Sequence, residues 1–179
     1  MTQPTSLNTP YVEPVSRENA PEGSKPILEA IHATFDRDLN IFSTLAHQPD
    51  VLLGTTKIND GIGEDLDPKL RELAYLHASQ LNNCDYCTHY HAAKASKVGV
   101  SGAQLKALAD WSNSDEFDDE AKAVLAYAEE LTQTANVSSE TASRVRSRLN
   151  DAQMVSLAGT VALANFTNRV NHGLGVQLP

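Results

Sequence analysis

The sequence predicts an all-α fold: one helical domain over residues 26–179, built from about seven or eight helices, behind an extended arm over residues 1–25. Three observations predict it. Beyond the arm, apolar residues recur three and four positions apart, the helical period, and no segment alternates as a half-buried strand does. Capping residues and prolines stand where helices should begin, and a glycine stands where one should end. No hairpin signal and no Gly-rich phosphate loop interrupts the pattern.

The arm holds four of the eight prolines, few large apolar residues and no periodicity, so it reads as a disordered tail or as an arm wrapped on a neighbouring subunit. Pro26 suits a first helical turn, and Ile27, Ala30, Ile31 and Phe35 follow at helical spacing. Residues 40–58 read as short helical pieces interrupted at Pro49. Asp67 is an N-cap with Pro68 at the first helical position, and Leu70, Leu73, Ala74, His77 and Leu81 share a face. The next helix runs from the Asn82–Asn83 pair to Gly99, a C′ residue, with Lys94 and Lys97 suited to its negative end. Ser101 and Gln104 form a capping box. Residues 115–133 open with acids and then place Ala123, Val124, Tyr127, Ala128 and Leu131 on one face; the acidic run is a solvated helix start. Two helices close the chain, over 138–149 and 151–173, the second apolar on most sides and therefore expected to be central.

Lys and Arg number 14 and Asp and Glu 23, a net charge of −9, which argues against a nucleic-acid backbone or an anionic membrane surface as partner. No apolar run approaches the roughly 20 residues of a membrane span, and the first residues lack the pattern of a signal peptide, so a cytoplasmic protein is expected.

Both cysteines of the chain lie in "NNCDYCTHYH", residues 82–91. In a reducing compartment a CxxC pair is more often catalytic or metal-binding than structural. A helix advances about 100° per residue, so Cys84, Cys87 and His91 fall on one stripe when Asn82 or Asn83 caps the helix, while His89 points elsewhere. Such a stripe contains the parts of a peroxide-reducing cycle. A thiolate near a helix N-terminus is favoured by the unpaired N–H groups, and His91 lies one turn from Cys87 as a base. Attack on a peroxide gives a sulfenic acid, which a second thiol converts to a disulfide. Glu72 is a candidate to orient the histidine. In one straight helix it would lie about 18 Å from Cys84, but a break at "LNN" would let the second helix fold back toward it.

The stretch "ELAYLHASQLNNCDYCTHYHAAKASKVGVS" resembles the core motif of the AhpD-like alkylhydroperoxidases of the carboxymuconolactone decarboxylase superfamily: a Glu, eleven residues, then C-x-x-C-x-x-x-H. Glu72, Cys84, Cys87 and His91 match every position, and "NFTNRVNHGLGV" is similar to the family's closing helix with its Asn-Arg pair, here Asn168 and Arg169. The resemblance implies an AhpD-like helical domain and a thiol-dependent peroxidase or disulfide oxidoreductase acting on hydrogen peroxide or organic hydroperoxides. It implies Cys87 as attacking thiolate, Cys84 as resolving thiol, His91 as base and Glu72 as part of a proton relay. It implies no cofactor, but a thiol or dihydrolipoyl electron donor, and a homo-oligomer, a trimer or hexamer. The best-known peroxidase members carry a His directly before the second cysteine, where this chain has Tyr86, and His77 is a candidate substitute.

Rival readings are a lactone decarboxylase of the same superfamily, which does not use a CxxC pair, a non-catalytic redox-sensing or metal-binding helical oligomer, and two ordinary buried cysteines. Zinc would draw on Cys84, Cys87 and His91 with His89 or Glu72; closed zinc sites usually take ligands from two separated segments, and no second cluster exists, so no metal is expected. His32, His47 and His172 are isolated and read as surface or satisfied histidines. Trp111 and the aromatic residues of 117–127 read as core or interface, and Arg169 as a partner for a carboxylate.

Overall fold

A computed structural model describes residues 9–178, which hold nine α-helices, one short 3-10 helix and no strand. The helices are α1 (Lys25–Phe35), α2 (Asn40–Leu45), α3 (Pro49–Gly61), α4 (Pro68–Leu81), α5 (Asp85–Lys97), α6 (Gly102–Ala107), α7 (Asp119–Thr134), α8 (Ser139–Arg146) and α9 (Asp151–Leu174), with the 3-10 segment at Leu108–Asn113. The architecture is all-α, as expected; the count passes eight because Pro49 separates α2 from α3. None of the described helices is long and apolar enough to cross a membrane.

Local chemistry sets the boundaries. The Asp67 carboxylate accepts the N–H groups of Lys69 and Leu70 at 2.8 and 3.2 Å, capping α4. Ser101 and Gln104 exchange both bonds of a capping box at α6. Asp118 caps α7 through the Ala121 N–H, so the acids before it belong to a turn. Gly99 follows α5 with φ +94°, a left-handed conformation that a side chain would strain.

The chain divides into two units, Met1–Lys57 with Arg169–Pro179, and Ile58–Asn168. In the first, Tyr11 and Val12 donate their N–H groups to Leu174 O at 3.0 and 3.3 Å, and Val15 donates to Ser43 O at 3.2 Å. His47 Nε2–H donates to Glu13 O at 2.9 Å. These bonds hold the described part of the segment read as an arm; its residues 1–8 lie outside the described residues.

In the second unit α4 packs on α5 and α7, and α7 on α8. The helix buried on every side is α4, where residues 72–79 are all buried. The expectation that α9 is central is met on one side only. Leu157, Val161, Ala164 and Asn168 are fully buried, while Val155 and Phe166 are 71% and 41% exposed. The polar side chains Glu72, His77 and Ser79 of α4 are all buried and hydrogen-bonded.

Candidate active site

The site is built where α4 gives way to α5. Asn82 is the C-cap of α4, Asn83 takes a left-handed φ of 55°, and Cys84 is the N-cap of α5. Asn tolerates that conformation better than most residues, because its short polar side chain bonds locally. The cap is therefore Cys84 and not, as expected, Asn82 or Asn83. Its sulfur accepts the Cys87 N–H at 3.3 Å, filling the role that a Ser or Asp oxygen usually plays. The two sulfurs lie 2.7 Å apart, and both residues are buried.

The reversal at Asn82–Asn83 folds α5 back on α4 and closes the gap between Glu72 and His91. Glu72 Oε2 accepts from His91 Nδ1 at 2.7 Å, and Lys94 Nζ reaches Oε1 at 2.9 Å. The Arg71 guanidinium stands 3.6 Å from that second oxygen. Arg71 itself lies against Gly63, where a Cβ would come within 2.5 Å of its Nη1. Glu72 is only 1% exposed, and an ionised carboxylate so deep requires partners of this kind. Burial pushes its pKa up, but the His91 hydrogen bond and the charges of His91 and Lys94 outweigh burial and hold it below its ordinary value.

An ionised carboxylate only accepts, so the hydrogen in this bond sits on His91 Nδ1. In neutral His91 the basic nitrogen is then Nε2. Burial is the main force lowering the His91 pKa, helped by the charges of Lys94 and Arg71 and opposed by Glu72. The Tyr75 ring stacks on the imidazole with centroids 3.6 Å apart and planes 12° from parallel. His91 is thus fixed at its edge by a carboxylate and on its face by a ring. Such an arrangement presents a neutral base of defined tautomer one helical turn from a thiol pair.

Of the residues named from sequence, Glu72, Cys84, Cys87 and His91 come together within α4, α5 and the turn between them. The other histidines do not join them. His77 faces α7, where it bonds Glu129 at 3.1 Å and meets Trp111 edge-on, so it does not take the place of a histidine at Tyr86. Tyr86 is buried against Tyr90, with centroids 4.9 Å apart, and His89 is exposed beside Tyr90. His32 bonds Asp38 at 2.9 Å. Among the described residues no His, Cys, Asp and Glu side chains converge as a metal-binding cluster.

Sequence reasoning missed Tyr75, Lys94 and Arg71. A signal existed for the first two: Tyr75 lies three residues after Glu72 on α4, and Lys94 three after His91 on α5, so each shares its neighbour's face. Lys94 suits the helix end by its position, yet its ammonium reaches Glu72.

The fold and these four matching positions define a helical protein of the AhpD-like type. Residues 49–130 match the model of the carboxymuconolactone decarboxylase family. The uncharacterized protein YdfG of Bacillus subtilis (strain 168) is 31% identical over 107 residues, 59% of this chain and 73% of YdfG. The uncharacterized protein YnjA of Escherichia coli (strain K12) is 28% identical over 112 residues, 62% of each chain. Among solved structures, an uncharacterized peroxidase-related protein of Ralstonia eutropha JMP134, described as an alkylhydroperoxidase AhpD core, superposes with a TM-score of 0.84 at 18% identity, covering 97% of this chain and 94% of that one. The debrominase Bmp8, in complex with 2,3,4-tribromopyrrole, superposes with a TM-score of 0.83 at 20% identity, covering 98% and 94%. At these identities the two structures share the fold. The chain belongs to the carboxymuconolactone decarboxylase family.

Proposed function

We propose that the chain is a thiol-dependent peroxidase that reduces hydrogen peroxide or an organic hydroperoxide through Cys84 and Cys87. The observation that carries this reading is a thiol pair 2.7 Å apart at a helix start, one turn from a histidine whose other nitrogen is held by a buried carboxylate. A lactone decarboxylase would have no use for the second sulfur.

In the proposed cycle His91 Nε2 takes the Cys87 proton, and the thiolate attacks the distal peroxide oxygen. The O–O bond breaks, an S–O bond forms, and the departing alkoxide, or hydroxide from hydrogen peroxide, takes the proton from His91 and leaves as alcohol or water. The Cys84 sulfur, already in contact, then attacks the sulfenic sulfur and releases water as the disulfide closes. An external dithiol, a dihydrolipoyl group or another thiol system, supplies the two electrons and two protons that restore the pair. Position supports the division of labour: Cys87 lies four residues before His91, and the Cys84 sulfur faces Cys87 from the cap. Glu72 holds the histidine's tautomer and steadies the imidazolium that forms. The exposed apolar Val155 and Phe166 of α9 are compatible with the homo-oligomer that the resemblance implies.

The test is a thiol count by intact mass under alkylation, before and after one equivalent of cumene hydroperoxide, on wild type, Cys84→Ser and Cys87→Ser. The expected result is rapid loss of both thiols in wild type and a trapped sulfenic acid in Cys84→Ser alone. A sulfenic acid only in Cys87→Ser would exchange the two roles. Thiols still alkylatable after prolonged peroxide would end the peroxidase reading and direct the assay to lactone turnover.

A further inference from the structure

The Glu72–His91 contact contains a conflict. An ionised carboxylate in hydrogen-bond contact raises the proton affinity of an imidazole, because it favours the charged form. A histidine already protonated cannot accept a proton from a thiol. Burial of the imidazole resists that protonation, but the carboxylate that fixes the tautomer works against the base it positions.

Lys94 lies where it offsets that effect. Its ammonium is 2.9 Å from Glu72 Oε1, the oxygen that His91 does not use, so the carboxylate is shared between an imidazole and a permanent cation. The charged and titratable groups around His91 can be taken element by element. α4 contributes Glu72, Arg71 and Tyr75. α5 contributes Lys94 and, one and two turns earlier, the thiols of Cys87 and Cys84. α9 contributes the uncharged Thr167 hydroxyl behind Tyr75. Arg71 stands farther from the carboxylate, at 3.6 Å. Lys94 is therefore the cation in direct contact, and its place three residues after His91 on the same helix fixes its reach.

We propose that Lys94 is a positioning residue that acts through Glu72 and works together with burial to keep His91 neutral, with Nε2 unprotonated, at the pH where the thiols react. The proposal deepens the peroxidase reading, since it rests on His91 as the base for Cys87. It adds a requirement that the four matching motif positions do not contain: a cation on the second carboxylate oxygen.

The experiment is a titration of His91 by ¹⁵N NMR, its resonance assigned by its loss in His91→Gln, in wild type, Lys94→Met and Lys94→Arg. The pH dependence of thiol oxidation by cumene hydroperoxide is measured on the same proteins. Wild type should show the Nδ1–H tautomer and a midpoint below the ordinary value for histidine. Lys94→Met should move the midpoint up by about one pH unit, the scale of a contact charge. It should slow oxidation about tenfold on the acid side and converge on wild type at high pH, since one unit of pKa is a factor of ten in base form. Lys94→Arg should restore both. An unmoved midpoint in Lys94→Met, or an equal shift in Lys94→Arg, overturns the proposal. If wild-type thiols ignore peroxide, the peroxidase reading fails while the NMR midpoint still decides the effect of Lys94. Lys94→Gln is read the same way where the methionine variant does not fold.

Discussion

Tyr75 contributes a ring face, and its hydroxyl is committed elsewhere. Thr167 has a single hydroxyl hydrogen, which goes to Leu163 O or Ala164 O, each 3.0 Å away. The bond between Thr167 and Tyr75 must then be donated by the phenol. Burial, reinforced by the charge of the nearby Cys87, pushes the phenol's pKa far above its ordinary value, so Tyr75 stays neutral and takes no proton from the site. Tyr75→Phe should keep the stack on His91 and oxidise its thiols within about twofold of wild type, at a stability cost of about 1 kcal/mol for the lost hydrogen bond. Tyr75→Leu removes the stacked face and frees the imidazole to rotate, so stopped-flow oxidation should slow about tenfold, one part of what correct orientation supplies. A Phe variant as slow as the Leu variant would mean that the phenol takes part in the chemistry.

At the scale of elements, the decisive feature is the reversal between α4 and α5, and asparagines hold it. Asn82 Nδ2 gives its hydrogens to Asn165 Oδ1 at 3.0 Å and to Asn168 Oδ1 at 2.9 Å. Asn168, fully buried, donates in turn to Ser79 Oγ at 3.2 Å, tying the last turn of α4 and its C-cap to α9. Asn168→Ala deprives Asn82 of an acceptor and Ser79 of a donor in a buried place, which costs about 1–3 kcal/mol. Urea unfolding should read that loss. Because the bend sets how closely His91 approaches Glu72, thiol oxidation should also slow at urea concentrations where the variant is still folded. Unchanged oxidation in a destabilised variant would show that the bend holds without this network. The break itself was legible in the sequence, because Asn-Asn after a helical run is a local signal. Its anchors were not, since Asn165 and Asn168 come from a helix more than eighty residues away and nothing local announces the pairing. Lys94 shows the same limit: its sequence position suits the helix dipole, and only the folded-back geometry shows that it reaches Glu72.

For the molecule as a whole, what the sequence hid and how stability depends on pH have one source, the polar groups packed between α4 and its neighbours. Periodicity and caps yielded the helices and placed His77 on the apolar face of α4, but for Glu72 no local pattern distinguishes a solvated carboxylate from one sealed by partners. Burial makes these groups sensors of acid. For His77 and His91 burial is the largest influence and lowers the pKa; it outweighs Glu129 at His77, and at His91 the charges of Lys94 and Arg71 join it against Glu72. The unfolded chain therefore binds more protons than the native one as the pH drops below about 6.5, the ordinary histidine value, and stability falls with it. Glu72 is lowered as well, so its contribution is present above its ordinary value of 4.5 and is lost as the pH falls through its folded value. Urea unfolding midpoints should be level between about pH 7 and 8, decline below about 6.5, and decline again below about 4.5. His77→Gln keeps a donor toward Glu129 but cannot take up a proton, so it should shrink the first decline and leave the second. A midpoint level from pH 7 down to 5 in wild type would mean that the two histidines take up their protons without cost, and that neither is held neutral by burial.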